Sequence, residues 1–289
     1  CDKDSVFFVD QTSYDSASLY NTVRWQWDFD DGTNGLALGD TNHLYASAGF
    51  YDVELTVFSD KGCVASLIKN VEVHPLPKPQ FSFNDTCANK PLAFLDESTI
   101  AWDALASWRW DFGDSIKSIK HPINHFDTGG LHDVKLTVRS DFGCIDSINK
   151  VVDVMYVPVT AYDVNMTESC SPAQFQFENT TPSIPNNTLT YKWMLGENLV
   201  SENKSLTRTI SNNGRVVNEY DFELIAETDE GCLASFTLPT TLRVFPLPVA
   251  GFYADPEETT TYEGLVNFVD TSRDASDWLW DFGVDNMFG

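Results

Sequence analysis

The groups in this sequence that could do chemistry are its cysteines, its histidines and two acidic clusters. Asp28-Asp30-Asp31 and Asp111-Asp114 each place carboxylates within a few residues of one another, the oxygen-donor set that calcium takes. Asp and Gly directly after an extended segment are also ordinary turn residues. The expectation is therefore that these carboxylates shape turns and that the chain carries no cofactor, calcium being the one ion they could attract. The cysteines Cys1, Cys63, Cys87, Cys144, Cys170 and Cys232 form no Cys-x-x-Cys or cysteine–histidine cluster, which argues against a zinc centre and for disulfides. No Gly-x-Ser-x-Gly, His-Glu-x-x-His, phosphate-binding loop or cysteine–histidine nucleophile pair is present. The chain is expected not to be an enzyme, with no catalytic, cofactor-binding or metal-ligating residue.

The elements that must position these groups repeat. Arg24-Trp25-Gln26-Trp27-Asp28-Phe29 returns as Trp108-Arg109-Trp110-Asp111-Phe112, in degenerate form as Tyr191-Lys192-Trp193-Met194-Leu195, and again as Trp278-Leu279-Trp280-Asp281-Phe282. Trp27, Trp110, Trp193 and Trp280 follow one another at 83, 83 and 87 residues, and a fixed long period fixes the architecture before any local reading. Other landmarks keep this register: Val9-Asp10-Gln11-Thr12-Ser13, Leu95-Asp96-Glu97-Ser98-Thr99, Phe177-Glu178-Asn179-Thr180-Thr181 and Val269-Asp270-Thr271-Ser272. Proline-bearing segments at His74-Pro75-Leu76-Pro77, Tyr156-Val157-Pro158-Val159 and Phe245-Pro246-Leu247-Pro248 read as linkers. They divide the chain into repeats at 1–77, 78–160, 161–248 and 249–289. The third is divergent. The first lacks the strand that Gln80-Phe81-Ser82-Phe83 and Ala161-Tyr162-Asp163-Val164 supply to its neighbours, and the fourth stops soon after its tryptophan, so the chain reads as a piece of something larger.

Within one copy the apolar period is two. Tyr51, Val53, Leu55 and Val57 alternate with Asp52, Glu54 and Thr56, the pattern of a half-buried strand, and no segment of similar length carries a 3.6-residue stripe. Short strands separated by Gly, Asn, Asp and Pro within some 85 residues fit a two-sheet sandwich. The tryptophans occupy one position on such a strand in every copy, which makes them core residues. Trp102 falls outside that pattern and is the better candidate for an exposed aromatic.

Trp-x-Trp-Asp-Phe-Gly-Asp, a later His-x-aromatic and an aromatic-x-Val-x-Leu-Thr-Val strand resemble the PKD domain, an extracellular immunoglobulin-like module. Copy two carries the motif best, in Trp110-Asp111-Phe112-Gly113-Asp114 and Leu136-Thr137-Val138. Copy one places Asp30 at the glycine, copy four reads Gly283-Val284-Asp285, and copy three has lost the element. The resemblance implies an all-β chain of tandem immunoglobulin-like (PKD-type) β-sandwiches arranged as beads on a string. Its signature falls on Trp27, Asp28, Trp110, Asp111, Trp193, Trp280 and Asp281. His43 and His125 fall at the family's His-x-aromatic position, where a structural hydrogen-bonding role is expected; His74, His121 and His132 read as linker, loop and strand residues.

Two cysteines fall in each of the first three copies, separated by 62, 57 and 62 residues. Six cysteines allow fifteen pairings, and repeat symmetry favours bonds within each copy: Cys1–Cys63, Cys87–Cys144 and Cys170–Cys232. Disulfides that persist place the chain in an oxidising compartment. The alignment of Cys1 with Cys87 and Cys170 argues against a lipid-modified first residue.

The chain holds 18 basic and 43 acidic residues, a net charge of −25, which repels nucleic acid and anionic bilayers. No apolar run is long enough to span a bilayer as a helix. Five Asn-x-Ser/Thr sequons (Asn84, Asn165, Asn179, Asn186, Asn203) and the Asp-Ser-apolar triplets at Asp4, Asp15, Asp114 and Asp146 are compatible with exposed, glycosylated loops. Acidic, disulfide-bearing PKD-like repeats are similar to the surface arrays of Bacteroidota, including gliding-motility adhesins exported by type IX secretion. That similarity implies a non-catalytic, extracellular stalk and adhesive surface on the outside of a Gram-negative cell. Its partners would be a surface polysaccharide or protein and the secretion or motility machinery. The other reading is a spacer or substrate-binding arm of a secreted polysaccharide- or protein-degrading enzyme; a surface-layer or receptor ectodomain is a third.

Overall fold

A computed structural model describes residues 1–13, 21–36, 39–260, 262 and 264–282. The triplet Asp15-Ser16-Ala17 and the Gly283-Val284-Asp285 variant lie outside the described residues. Every regular element among those described is a β-strand, as the two-residue period requires. The chain divides into two compact units, Cys1–Met155 and Tyr156–Gly289.

Copy two, in the first unit, has the clearest sandwich. One sheet orders Ile116–Lys117, Leu105–Asp111, Gly130–Ser140 and Ile145–Val154; the other orders Ile123–His125, Pro91–Asp96 and Phe81–Phe83. Along Gly130–Ser140, Val134, Leu136 and Val138 are buried while Asp133, Lys135 and Arg139 face out, so one face of the pleat must be covered. The opposing sheet supplies Leu92, Phe94 and Phe81, all buried. Between the sheets Trp110 is wholly inaccessible, with its ring 5.1 Å from Phe81 and 5.7 Å from Phe94 in edge-on or tilted contact, the geometry aromatic rings prefer.

Copy one keeps the four-strand sheet, Asn34–Gly35, Thr22–Asp28, Gly49–Ser59 and Val64–Val73, and faces it with the antiparallel two-stranded sheet of Ser5–Phe8 and Thr41–Leu44. Among the described residues no strand corresponding to Phe81–Phe83 covers Phe8–Asp10. A cleft of about 470 Å³ opens there, lined by Phe8, Asp10, Trp27, Leu55, Val57 and Lys69 among others. This is why the burial alternation on Gly49–Ser59 is blurred where that on Gly130–Ser140 is sharp.

In the second unit, copy three builds a core from Tyr162, Phe175, Phe177, Trp193, Phe222 and Leu224. The strand Ala173–Asn179 alternates perfectly between buried and exposed positions, so the loss of the Asp-Phe-Gly-Asp element left the sandwich intact. Copy four contributes one hairpin, Phe252–Asp255 with Asn267–Asp270. Trp280 departs from expectation here: it lies outside any strand and is 37% exposed. It rests against Phe252 and Phe268 at 5.5 and 5.8 Å, with no second sheet among the described residues to close over it.

Candidate functional site at the joint between repeats

The signature residues are used for structure. Each buried indole satisfies its single N–H on a backbone carbonyl: Trp27 Nε1 donates to Gly39 O at 3.3 Å, Trp110 to Ile119 O at 3.0 Å and Trp193 to Asn203 O at 3.0 Å. The carboxylates of Asp28 and Asp111 accept from the backbone N–H two residues on, at Asp30 (3.0 Å) and Gly113 (3.1 Å), closing the turn after the strand. Asp30 and Gly113 hold φ of 59° and 90°, left-handed values that Gly adopts freely and Asp tolerates; the same conformation accounts for both residue types. Asp281 is exposed at the end of the described chain. Among the described residues no group of three or more His, Cys, Asp or Glu side chains is arranged to hold a metal ion.

A second turn recurs in all four copies. Asp10, Asp96, Asn179 and Asp270 each accept, on a side-chain oxygen, the N–H of Thr12, Ser98, Thr181 and Ser272 at 2.9 to 3.1 Å. In copies one and two the other carboxylate oxygen accepts from the outer tryptophan, Trp25 at 2.6 Å and Trp108 at 2.8 Å. Burial alone would raise the Asp10 pKa, but the hydrogen bonds from Thr12 and Trp25 outweigh it and hold it below the ordinary value. Asn179 is both a sequon and this turn residue; it is buried and closed to glycosylation in the folded state.

The histidine expectation holds for one copy. His43 Nε2 meets Asp31 Oδ2 at 2.6 Å and the ring stacks on Phe29 at 4.0 Å. Burial would raise Asp31, yet hydrogen bonds from Thr33 and His43 lower its pKa. Nearby, burial and the charges of Asp31, Tyr51 and Asp30 push the Tyr45 hydroxyl up to about 12. In copy two the equivalent place is taken by buried Asn124, which accepts from Ser115 Oγ at 3.2 Å, while His125 is exposed on the strand paired with Pro91–Asp96.

The cysteines overturn the pairing within each copy. Cys1 bonds to Cys144, 143 residues away and in the next copy, with Cα atoms 5.6 Å apart. Cys63 and Cys170 are free thiols and exposed; Cys87 and Cys232 are each disulfide-bonded. The reason lies in strand length. Asp2 N–H donates to His74 O at 2.8 Å, which holds Cys1 at the linker end of copy one. Cys63 sits past the far end of the hairpin, where Phe58 faces Val64, and the hairpin runs ten residue pairs from the Gly49–Val73 pair to that point. At about 3.3 Å per residue the two cysteines lie roughly 30 Å apart, far beyond disulfide reach. Cys87 beside Met155 and Cys144 beyond the Arg139–Ile145 pair repeat the arrangement.

Around Cys1–Cys144 the first two copies form a built joint. The His74 ring stacks on Phe142 at 3.8 Å, and its Nδ1 lies 3.2 Å from Asp103 Oδ2, whose side chain is 3% exposed, and 3.7 Å from Glu72. Asp2 accepts from Leu76 N–H at 2.7 Å. Trp102, 48% exposed, stacks against Phe50 of the preceding copy at 6.3 Å. Sequence reasoning named the cysteines and His74 but not their meeting. The available hint was the Gly-Cys pair that sets the second cysteine of each of the first three copies at a turn.

Sandwiches in series, each complete one closed over a buried tryptophan and the first two bonded through cysteines, define a tandem array of immunoglobulin-like modules. The PKD domain family profile matches residues 1–75 and 74–156, and the chain belongs to that family. The pre-pro-metalloprotease PrtV of Vibrio cholerae serotype O1 is 31% identical over 139 residues, covering 47% of this chain and 15% of that protein; the chain spans less than a sixth of that relative's length. Among solved structures, the PKD1 domain of Vibrio anguillarum Epp is 23% identical with a TM-score of 0.27, covering 28% of this chain and 95% of its own. The PKD1 domain of the Vibrio cholerae metalloprotease PrtV is 20% identical with a TM-score of 0.25, covering 29% and 99%.

Proposed function

We propose that this chain is the non-catalytic, extracellular repeat region of a large cell-surface adhesin, serving as spacer and contact surface. The observation that carries the reading is the joint: Cys1–Cys144, the His74–Phe142 stack and the His74–Asp103 pair commit reactive groups to connecting modules. A covalent link between folded domains resists separation under tension and survives only in an oxidising compartment. Export by type IX secretion and a part in gliding motility belong to this proposal, supported by the sequence resemblance to Bacteroidota surface arrays. Its partners would be a surface polysaccharide or protein.

The second reading, a spacer or substrate-binding arm of a secreted degradative enzyme, is favoured by the 139-residue similarity to a pre-pro-metalloprotease. Immunogold labelling of intact source cells with antibody to this chain separates the two. Label retained on the cell surface is the adhesin outcome. Label confined to the medium and co-purifying with hydrolase activity would overturn it in favour of the enzyme arm.

A further inference from the structure

We infer that Cys63 and Cys170 are the two open halves of a staggered disulfide ladder, in which the first cysteine of each repeat bonds to the second cysteine of the repeat that follows it. Their partner is therefore another repeat of this type presenting the complementary thiol.

The second cysteine of each of the three cysteine-bearing copies sits in the same kind of turn. Ser59, Ser140 and Thr228 donate their N–H to the carbonyls of Cys63, Cys144 and Cys232 at 2.8 to 2.9 Å, and their hydroxyl oxygens accept the cysteine N–H at 3.0 to 3.1 Å. The preceding Gly62, Gly143 and Gly231 all hold φ between 82° and 90°, which requires glycine and explains the recurrent Gly-Cys pair. The first cysteine also occupies a constant place, against the last strand of its copy: Cys87 bridges Met155 and Cys170 pairs with Phe245, both in parallel, and Cys1 adjoins His74. One position faces the incoming linker and the other the outgoing one. Cys1–Cys144 shows what each position binds.

Applied along three cysteine-bearing copies, the rule leaves unpaired one second-position cysteine, in the first copy, and one first-position cysteine, in the third. Those are Cys63 and Cys170, and both are exposed. Pairing within copies would leave none. The bond is closed by thiol–disulfide exchange with a small disulfide such as oxidised glutathione. One protein thiolate displaces a glutathione thiol to form a mixed disulfide. The second protein thiolate then displaces the other, so that two protein thiols are oxidised and one glutathione disulfide is reduced to two thiols.

The test has two arms. Alkylation of the unreduced chain with iodoacetamide, followed by peptide mapping, is expected to label Cys63 and Cys170 alone and to recover a Cys1–Cys144 cross-link. In a lengthened chain, residues 249–289 give way to a second copy of residues 78–248 and the protein is refolded with oxidised glutathione. There Cys170 is expected to lose its alkylation by at least about tenfold, as linkage to a neighbouring repeat raises the local thiol concentration. It should appear cross-linked to the added copy's equivalent of Cys144. Recovery of Cys1–Cys63 or Cys170–Cys232 peptides, or a Cys170 that stays fully alkylated in the lengthened chain, would overturn the ladder.

Discussion

At the scale of single residues, the polar groups of each copy mostly hold turns and indoles in place. Trp110 is wholly buried among aromatic rings with its N–H satisfied, so Trp110→Ala should cost about 3–5 kcal/mol through lost burial and the cavity left behind, read by denaturant unfolding followed by tryptophan fluorescence. Trp102→Ala should cost under about 0.5 kcal/mol, because its ring is half exposed. Asp10 and Asp31 titrate below the ordinary 3.8. A depressed folded pKa gives stability that is present above the unfolded value and lost as pH falls through the folded one. The thermal midpoint should therefore drop on acidification below about pH 4, and a chain carrying both Asp10→Asn and Asp31→Asn should show a flatter acid limb, measured by calorimetry.

At the scale of elements, the difference between copies one and two isolates the work of a single strand. Phe81 enters the core of copy two at zero exposure, and Lys150 covers its ring at 4.8 Å and donates to its carbonyl. Lys69, at the same register in copy one, lines an open cleft instead. A peptide with the sequence of residues 78–84, Lys-Pro-Gln-Phe-Ser-Phe-Asn, should add to the exposed edge as a strand and place its aromatics in the cleft. The expected result is saturable binding in calorimetry and a higher thermal midpoint for copy one. A peptide with both phenylalanines replaced by serine should give neither, and equal binding by the two would sink the idea.

At the scale of the molecule, the joint changes how tension passes along the chain. Cys1–Cys144 bridges 143 residues, so a force applied at the first residue bypasses copy one. With Cys87 and Cys232 replaced by serine, leaving Cys1–Cys144 as the sole bond, adding a reductant during single-molecule pulling should lengthen the fully extended chain by roughly 500 Å, at about 3.6 Å per residue. An unchanged contour length would mean that the bond does not form. Cys1→Ser should produce the long chain without reductant.

The sequence by itself determined the fold class, the period and the core. Apolar alternation with period two admits only strands, a tryptophan every 83 to 87 residues marks one equivalent site per module, buried in the first three, and Asp and Asn after those strands are legible as turns because their side chains act within two residues. Trp280 and Asn124 were less legible, since burial depends on a second sheet and a buried hydrogen-bonding position can be filled by more than one residue type. The cysteine pairing was decided only by the tertiary structure. Composition and spacing treat Cys1 and Cys63 as equivalent partners, because sequence separation carries no information about which end of a ten-residue hairpin a residue occupies. The strands set the two cysteines at opposite ends of the sandwich, and the short linker brings the end of one module against the start of the next. There the thiol within reach of Cys1 is Cys144.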